Sequence, residues 1–264
     1  MDYQDIIFTK ENGIATMTMN RPERMNAFSP EMTDSMYRIV EDISQDNEVR
    51  VLIITGAGRA FCTGAEVRSL ADGTFRGRNQ DKTGDSFNRS ISIHLLMQRC
   101  EKPIIASING TAAGAGLDLA LACDIRIASD QARFAELYIR RGIFPVGGGT
   151  YFLPRLVGID KACQLIWTGD MIDAKEAERI GLVTMVVPHD ELEMATGELA
   201  GKIAKAAPLV IRRTKRAIYE GLQMNLETHL TYVQPLMREI HQSEDFKEGT
   251  RAFLEKREPV FKGK

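Results

Sequence analysis

Asn109-Gly110-Thr111-Ala112-Ala113-Gly114-Ala115-Gly116-Leu117-Asp118 follows directly on Pro103-Ile104-Ile105-Ala106-Ser107-Ile108. An apolar, β-branched run that ends in tiny residues and then opens an apolar helix is a strand–turn–helix unit. A second unit lies upstream, where Val51-Leu52-Ile53-Ile54, bounded by Gly56, leads into Arg59-Ala60-Phe61-Cys62-Thr63-Gly64-Ala65-Glu66-Val67. A continuous apolar run of that kind suits a strand covered on both faces. Small side chains in such turns let a ligand reach backbone N–H groups that a helix N-terminus leaves unpaired. Two of these turns on neighbouring strands aim two donors at one carbonyl oxygen, an arrangement that stabilises an enolate or oxyanion. The competing reading is that the glycines serve only tight turns and close helix–strand packing.

Outward from these two stretches, Gly13 to Met19 alternates as a strand and stops at the turn Asn20-Arg21-Pro22. Ser29-Pro30-Glu31 opens a helix: serine caps, proline needs no N–H at the first position, and glutamate favours the positive end. Met32, Met36, Ile39, Val40 and Ile43 then recur at helical spacing and predict one buried face. Ile125-Arg126-Ile127-Ala128 reads as a further strand. Strand–helix alternation implies an α/β sheet with right-handed crossovers. Between Ala71 and Arg89 the chain is polar and glycine-dotted, the composition of a surface loop or a site lid. From Asp170 onward helices dominate. Asp173 with Glu176 starts a short one that stops at Gly181, Leu182 to Val187 suits a short strand, and 190–206, 208–221, 225–242 and 244–256 read as helices.

The 264 residues are enough for one main domain with an appended helical piece. A formal net charge of -2 argues against a nucleic-acid partner, which asks for a basic excess. No apolar run approaches the roughly 18 residues of a membrane span. Met1-Asp2-Tyr3-Gln4-Asp5 lacks the basic-then-apolar order of a secretory signal, so a cytoplasmic protein is expected. Cys62, Cys100, Cys123 and Cys163 form no CxxC pair, and His94, His189, His229 and His241 are equally scattered, so no metal site is expected. Reduced buried thiols are the simpler reading; Cys62 as a nucleophile would need something nearby to lower its pKa. Gly110, Gly114 and Gly116 lack the dinucleotide order, and no Gly-Lys-Ser/Thr follows either stretch.

The chain resembles the enoyl-CoA hydratase/isomerase (crotonase) family over essentially its full length. The matching pieces are residues Asn20 to Phe28, Ala60 to Glu66, Asn109 to Asp124, Gly142 to Gly149, Leu153 to Gly158 and Ala252 to Pro259, in family order. The resemblance implies a crotonase-like β-β-α spiral core over 1–190 that carries an acyl-CoA site. It also implies a C-terminal helical trimerisation region over 191–264, and a homotrimer or dimer of trimers. It places the oxyanion donors at the N–H groups of Ala65 and Ala115; alanine supplies a main-chain N–H as well as glycine where φ allows a Cβ. It assigns coenzyme A contacts to Arg24, Ala27, Ala65, Val67 and Arg68, with Phe253 and Lys256 lent by a neighbouring subunit. Coenzyme A is then part of the substrate, and no separate cofactor is implied.

The family pattern breaks at the acid/base positions. Its hydratases use two glutamates around one water; here those places hold Asp118 and Tyr138. Aspartate is one methylene shorter, and a tyrosine of pKa about 10 is a poor base at neutral pH. Glu136 is a further candidate if its strand turns it inward. Val146 stands where some double-bond-shifting relatives carry an aspartate. The plainer roles are a helix cap or pair for Asp118, a salt bridge to Arg133 or Arg140 for Glu136, and packing at the acyl pocket mouth for Tyr138. Asp118 is therefore expected as the main acid/base, assisted by Glu136 or Tyr138, in an enoyl-CoA hydratase or isomerase. With one family carboxylate kept, isomerisation is the easier chemistry. The alternatives are thioester hydrolysis or ring opening, and a catalytically silent acyl-CoA-binding protein.

Overall fold

The structure, a computed structural model, describes residues 3–66 and 86–264. Its first hairpin was not anticipated from the sequence. Strand β1 (Ile6–Glu11) pairs antiparallel with β2 (Ile14–Met19) through a turn in which Asn12 and Gly13 both hold positive φ, the preferred residues for so tight a connection. In β2, Ala15, Met17 and Met19 face the core while the residues between them are half-buried. Helix α1 (Pro30–Gln45) starts where the sequence places it: Ser29 Oγ accepts the Met32 N–H at 3.0 Å, and Met32, Met36, Ile39, Val40 and Ile43 are buried.

Strands β3 (Val51–Gly56), β5 (Ile104–Ile108), β7 (Ile125–Ser129) and β10 (Met185–Val187) complete a six-stranded sheet of order β1-β2-β3-β5-β7-β10. From β2 onward its pairings are parallel. A second sheet corrects the reading of the small-residue stretches as plain turns. Ala60–Cys62 is strand β4 and Thr111–Ala113 is β6, and with β8 (Arg133–Ala135) and β9 (Ile172–Asp173) they form a four-stranded sheet of order β4-β6-β8-β9. The chain thus runs from a large-sheet strand into a small-sheet strand before a helix carries it back. Helices α2 (Ser86–Arg99) and α3 (Ala115–Ala122) make two of these returns. This is the β-β-α spiral that the resemblance implied.

Of the polar segment Ala71 to Arg89, residues 86–89 are helical rather than loop, as the first turn of α2, and 71–85 lie outside the described residues. Helices α4 (Gly149–Val157) and α5 (Ile159–Thr168) lie between β8 and β9, and α6 (Ala174–Arg179) begins on Asp173, whose side chain accepts the Glu176 N–H at 2.8 Å. Helix α7 (Leu192–Lys205) lays Leu192, Ala200 and Ala204 on Val51, Ile53, Ile105 and Ile127 of the large sheet. Helices α8 (Pro208–Gly221), α9 (Leu226–Gln242) and α10 (Glu244–Glu255) lie within two residues of the expected ranges. They leave Ile218, Leu222, Leu226, Leu230 and Phe253 exposed. Among the described residues no helix is long and apolar enough to cross a membrane.

Candidate active site

The two small-residue stretches converge because β4 and β6 are neighbours in the small sheet. Gly64 holds φ +81, and a Cβ on it would lie 2.8 Å from the Ala115 nitrogen. A Cβ on Gly116 would lie 2.1 Å from the Cys62 carbonyl oxygen, so β4 can run this close to the start of α3 only past glycine. Ala115 is the first residue of α3, where no intrahelical acceptor exists for its N–H. Ala65 forms a bridge with Phe28 in which Phe28 N–H donates to the Gly64 carbonyl at 2.8 Å. Neither the Ala65 nor the Ala115 N–H is taken by a backbone carbonyl among the described residues. Both residues are half-buried.

Arg24 and Ala27 stand beside this loop. Arg24 lies 3.7 Å from Glu66, while the Ala27 carbonyl accepts from Arg21 at 2.7 Å. Asn26 ties the segment down, donating to the carbonyls of Ala57 and Ala60 at 2.9 and 2.7 Å. Val67 and Arg68 lie outside the described residues. Phe253 and Lys256 sit at the far end of α10, which packs on α9, and Phe253 is 83% exposed.

Asp118, one turn into α3, and Glu136, just past β8, are both fully buried. Neither plainer role holds. Asp118 makes no cap or pair inside its helix; instead Tyr138 Oη donates to its Oδ2 at 2.5 Å. Arg133 turns to Asp173 at 3.7 Å and Arg140 to Asp170 at 3.0 Å, leaving Glu136 without either. Asp118 Oδ1 and both Glu136 oxygens have no hydrogen-bond partner among the described residues. Tyr138 does more than pack, since its hydroxyl holds one oxygen of the candidate base.

The two carboxyls share one wall. A Cβ on Gly149 would lie 2.5 Å from Asp118 Oδ1 and 2.9 Å from Glu136 Oε1, and one on Gly147 would lie 2.3 Å from Asp118 Oδ2. The glycine run before α4 is therefore part of the site, a role not assigned from the sequence although the run itself was visible. Burial pushes Asp118 up to about 7, with the Tyr138 hydrogen bond and the nearby N–H groups of Gly147 and Gly149 acting weakly the other way. Neither N–H reaches full hydrogen-bond geometry with Oδ1. Burial, and then the charge of Asp118, push Glu136 up to about 9. Two buried acids in one pocket, each with its proton affinity raised, are suited to holding and moving a proton near neutral pH. Burial pushes the Cys62 thiol up to about 12, so it is no activated nucleophile. All four cysteines are free.

Residues 9–264 match the family model described as enoyl-CoA hydratase/isomerase. A short-chain-enoyl-CoA hydratase of Clostridium acetobutylicum is 39% identical over 97% of each chain. A 1,2-epoxyphenylacetyl-CoA isomerase of Escherichia coli is 34% identical over 96% of this chain and 97% of its own. The crystal structure of an enoyl-CoA hydratase from Bacillus anthracis superposes with a TM-score of 0.92 at 36% identity, covering 99% of this chain and 100% of that one.

Proposed function

The chain belongs to the enoyl-CoA hydratase/isomerase family, and from that premise we propose that it is an enoyl-CoA hydratase or double-bond isomerase in which Asp118 and Glu136 move the proton. The thioester carbonyl oxygen of the acyl-CoA accepts from the N–H groups of Ala65 and Ala115, which stabilise the negative charge as an enolate develops. In this reading Asp118, at the position the family resemblance points to, takes the proton and Glu136 gives one, burial having raised the proton affinity of both. Tyr138 holds Asp118 in place. One observation carries this reading: two buried carboxyls meet on the Gly149 wall with three of their oxygens unpartnered. An unpartnered buried polar atom costs about 1–3 kcal/mol, and a reacting ligand supplies the missing contacts. A second carboxyl beside Asp118 also removes the chemical reason to prefer isomerisation over hydration.

Coenzyme A then lies along Arg24, Ala27, Val67 and Arg68, with Phe253 and Lys256 reaching it from a neighbouring subunit of a homotrimer or dimer of trimers. In this division of labour 1–190 carry the site and 191–264 assemble the subunits. Coenzyme A belongs to the substrate, no metal or separate cofactor takes part, and the protein works in the cytoplasm. The test is a panel of short, long, branched and ring-containing enoyl-CoAs, followed by absorbance and by mass in D2O. At least one member turns over, and Asp118→Asn lowers kcat by about 10²–10⁴ while the ester still binds. Saturable binding across the panel with no product would leave an acyl-CoA-binding protein instead.

A further inference from the structure

We propose that Tyr138 is a positioning residue that holds Asp118 Oδ2 so that Oδ1 alone faces Glu136, making the two carboxyls one acid–base unit that shares a single proton. The inference rests on the enoyl-CoA reading of the site and deepens it.

An aspartate side chain in an open site rotates freely between its two oxygens. Here Tyr138 Oη donates to Oδ2 at 2.5 Å and fixes that rotation. The other oxygen, Oδ1, is left unpartnered, and it lines the same wall as Glu136 Oε1: both stand within 3 Å of the point where a Gly149 Cβ would be. The described residues around them supply no competing charge. Asp118 meets Glu136 and Tyr138 from the segment after β8, the Gly147 and Gly149 N–H groups before α4, and the buried neutral Cys62 of β4. No ion pair among the described residues reaches either carboxyl. Two buried carboxyls on one wall, each feeling the other's charge and with no cation among the described residues, cannot both ionise at low cost, and one proton held between them relieves that cost.

The proton count closes without an outside donor. As a substrate C–H bond breaks, its electron pair moves into the thioester enolate and the proton bonds to Asp118 Oδ1. The proton already on Glu136 bonds to the other end of the conjugated system. Transfer of the proton from Oδ1 to Oε1 restores the starting state.

The test is kcat/KM against pH for the full-length enzyme and Tyr138→Phe, each with its melting temperature. A hydrogen bond to the charged form lowers a carboxyl's pKa, so its loss moves the acidic limb to a pH about 1 higher. Near pH 7 this cuts kcat about fivefold, with KM unchanged. A folded Tyr138→Phe whose acidic limb stays in place, or whose loss appears only in KM or melting, overturns the clamp. Glu136→Gln keeps the inference testable should Tyr138→Phe not fold: its residual activity loses the alkaline limb, and a bell that keeps both limbs overturns the shared proton. Asp118→Asn separates the failures. If it retains wild-type kcat, the site itself is misread; if it is inactive while Tyr138→Phe leaves the profile unmoved, only the positioning role falls.

Discussion

Asp118 and Asp124 stand at the two ends of α3, and each accepts a hydrogen bond from a tyrosine hydroxyl: Tyr138 at 2.5 Å for the first, Tyr219 at 2.7 Å for the second. Everything else about them differs. Asp124 Oδ2 also accepts from Lys215 Nζ and from the Ile104 N–H, both at 2.7 Å. Lys215 in turn donates to the Lys102 carbonyl at 2.9 Å. That carboxylate is saturated and neutralised, and it ties α8 to the start of β5. Among the described residues Asp118 has no cation, one unpartnered oxygen and a second acid as neighbour. The same residue pair is a structural clamp where a lysine completes it and, in the proposed reading, a chemical group where none does. The missing partner is what marks a site.

The sharpest way to break this contrast is to swap the substitution between the two ends. Asp118→Asn loses about 10²–10⁴ in kcat and keeps its melting temperature. Asp124→Asn melts earlier yet keeps kcat per folded molecule. If Asp124→Asn lost the same kcat at unchanged stability, the division between the two ends of α3 would not hold.

Next in size is Lys215→Met. Lys215 is 8% exposed and Asp124 16%, so removing the ammonium leaves a mostly buried carboxylate without its ion. Breaking a buried pair from one side costs about 3–5 kcal/mol, read as a lower denaturant midpoint with unchanged slope. Kinetics of the folded fraction stay as in wild type. A loss within the range of a surface ion pair, about 1 kcal/mol or less, would mean that the clamp is solvated.

How much of this contrast the sequence carries follows from how local each feature is. The start of α1 is legible because Ser29, Pro30 and the Met32–Ile43 stripe all obey rules acting within a few residues. The C-terminal helices are legible for the same reason: Asn225 accepts the Thr228 N–H and Ser243 the Phe246 N–H. Strands β4, β6 and β8 are not legible, since three residues rich in alanine show no alternation. Helix α4 hides behind a glycine run and an internal Pro154. Within the site, small residues mark the two loops, and the family resemblance points to Ala65, Ala115 and Asp118. Glu136 shares the inward parity of Phe134 two residues before it, which is a readable signal. Its lack of a partner is not readable, because it depends on Arg133 and Arg140 turning to Asp173 and Asp170 on other segments.

The pH dependence of stability sharpens the comparison by a smaller amount. Asp118 and Glu136 hold their protons more tightly folded than unfolded. The native state therefore binds more protons wherever the unfolded carboxyls have ionised, and stability falls as pH rises. Their contribution is complete below about pH 4 and is lost as pH climbs through about 7 and then about 9. Lys102 acts in the opposite sense, since burial pulls its ammonium down to about 8. The informative quantity is thus the difference between wild type and Glu136→Gln, measured by denaturant midpoint from about pH 5 to about pH 10. The wild type loses more stability than the variant at the alkaline end. Parallel curves would mean that Glu136 is solvated in the native state.

The smallest effect separates the two tyrosines. Tyr219→Phe removes one hydroxyl from an Asp124 that keeps Lys215 and the Ile104 N–H. A hydrogen bond to a charged group contributes about 1.5–3 kcal/mol, and the two remaining donors hold the loss near the lower end of that range. Kinetics do not change at any pH, because no atom of this cluster faces the Gly149 wall. Tyr138→Phe differs in the kinetic readout: its partner is the candidate base, so the pH profile moves. Equilibrium unfolding and pH–rate curves of the two Phe variants, measured side by side, form a two-by-two comparison. A pH profile that moves in Tyr219→Phe as far as in Tyr138→Phe would show the two ends of α3 to be one coupled network, and the separation of clamp from chemistry would fail.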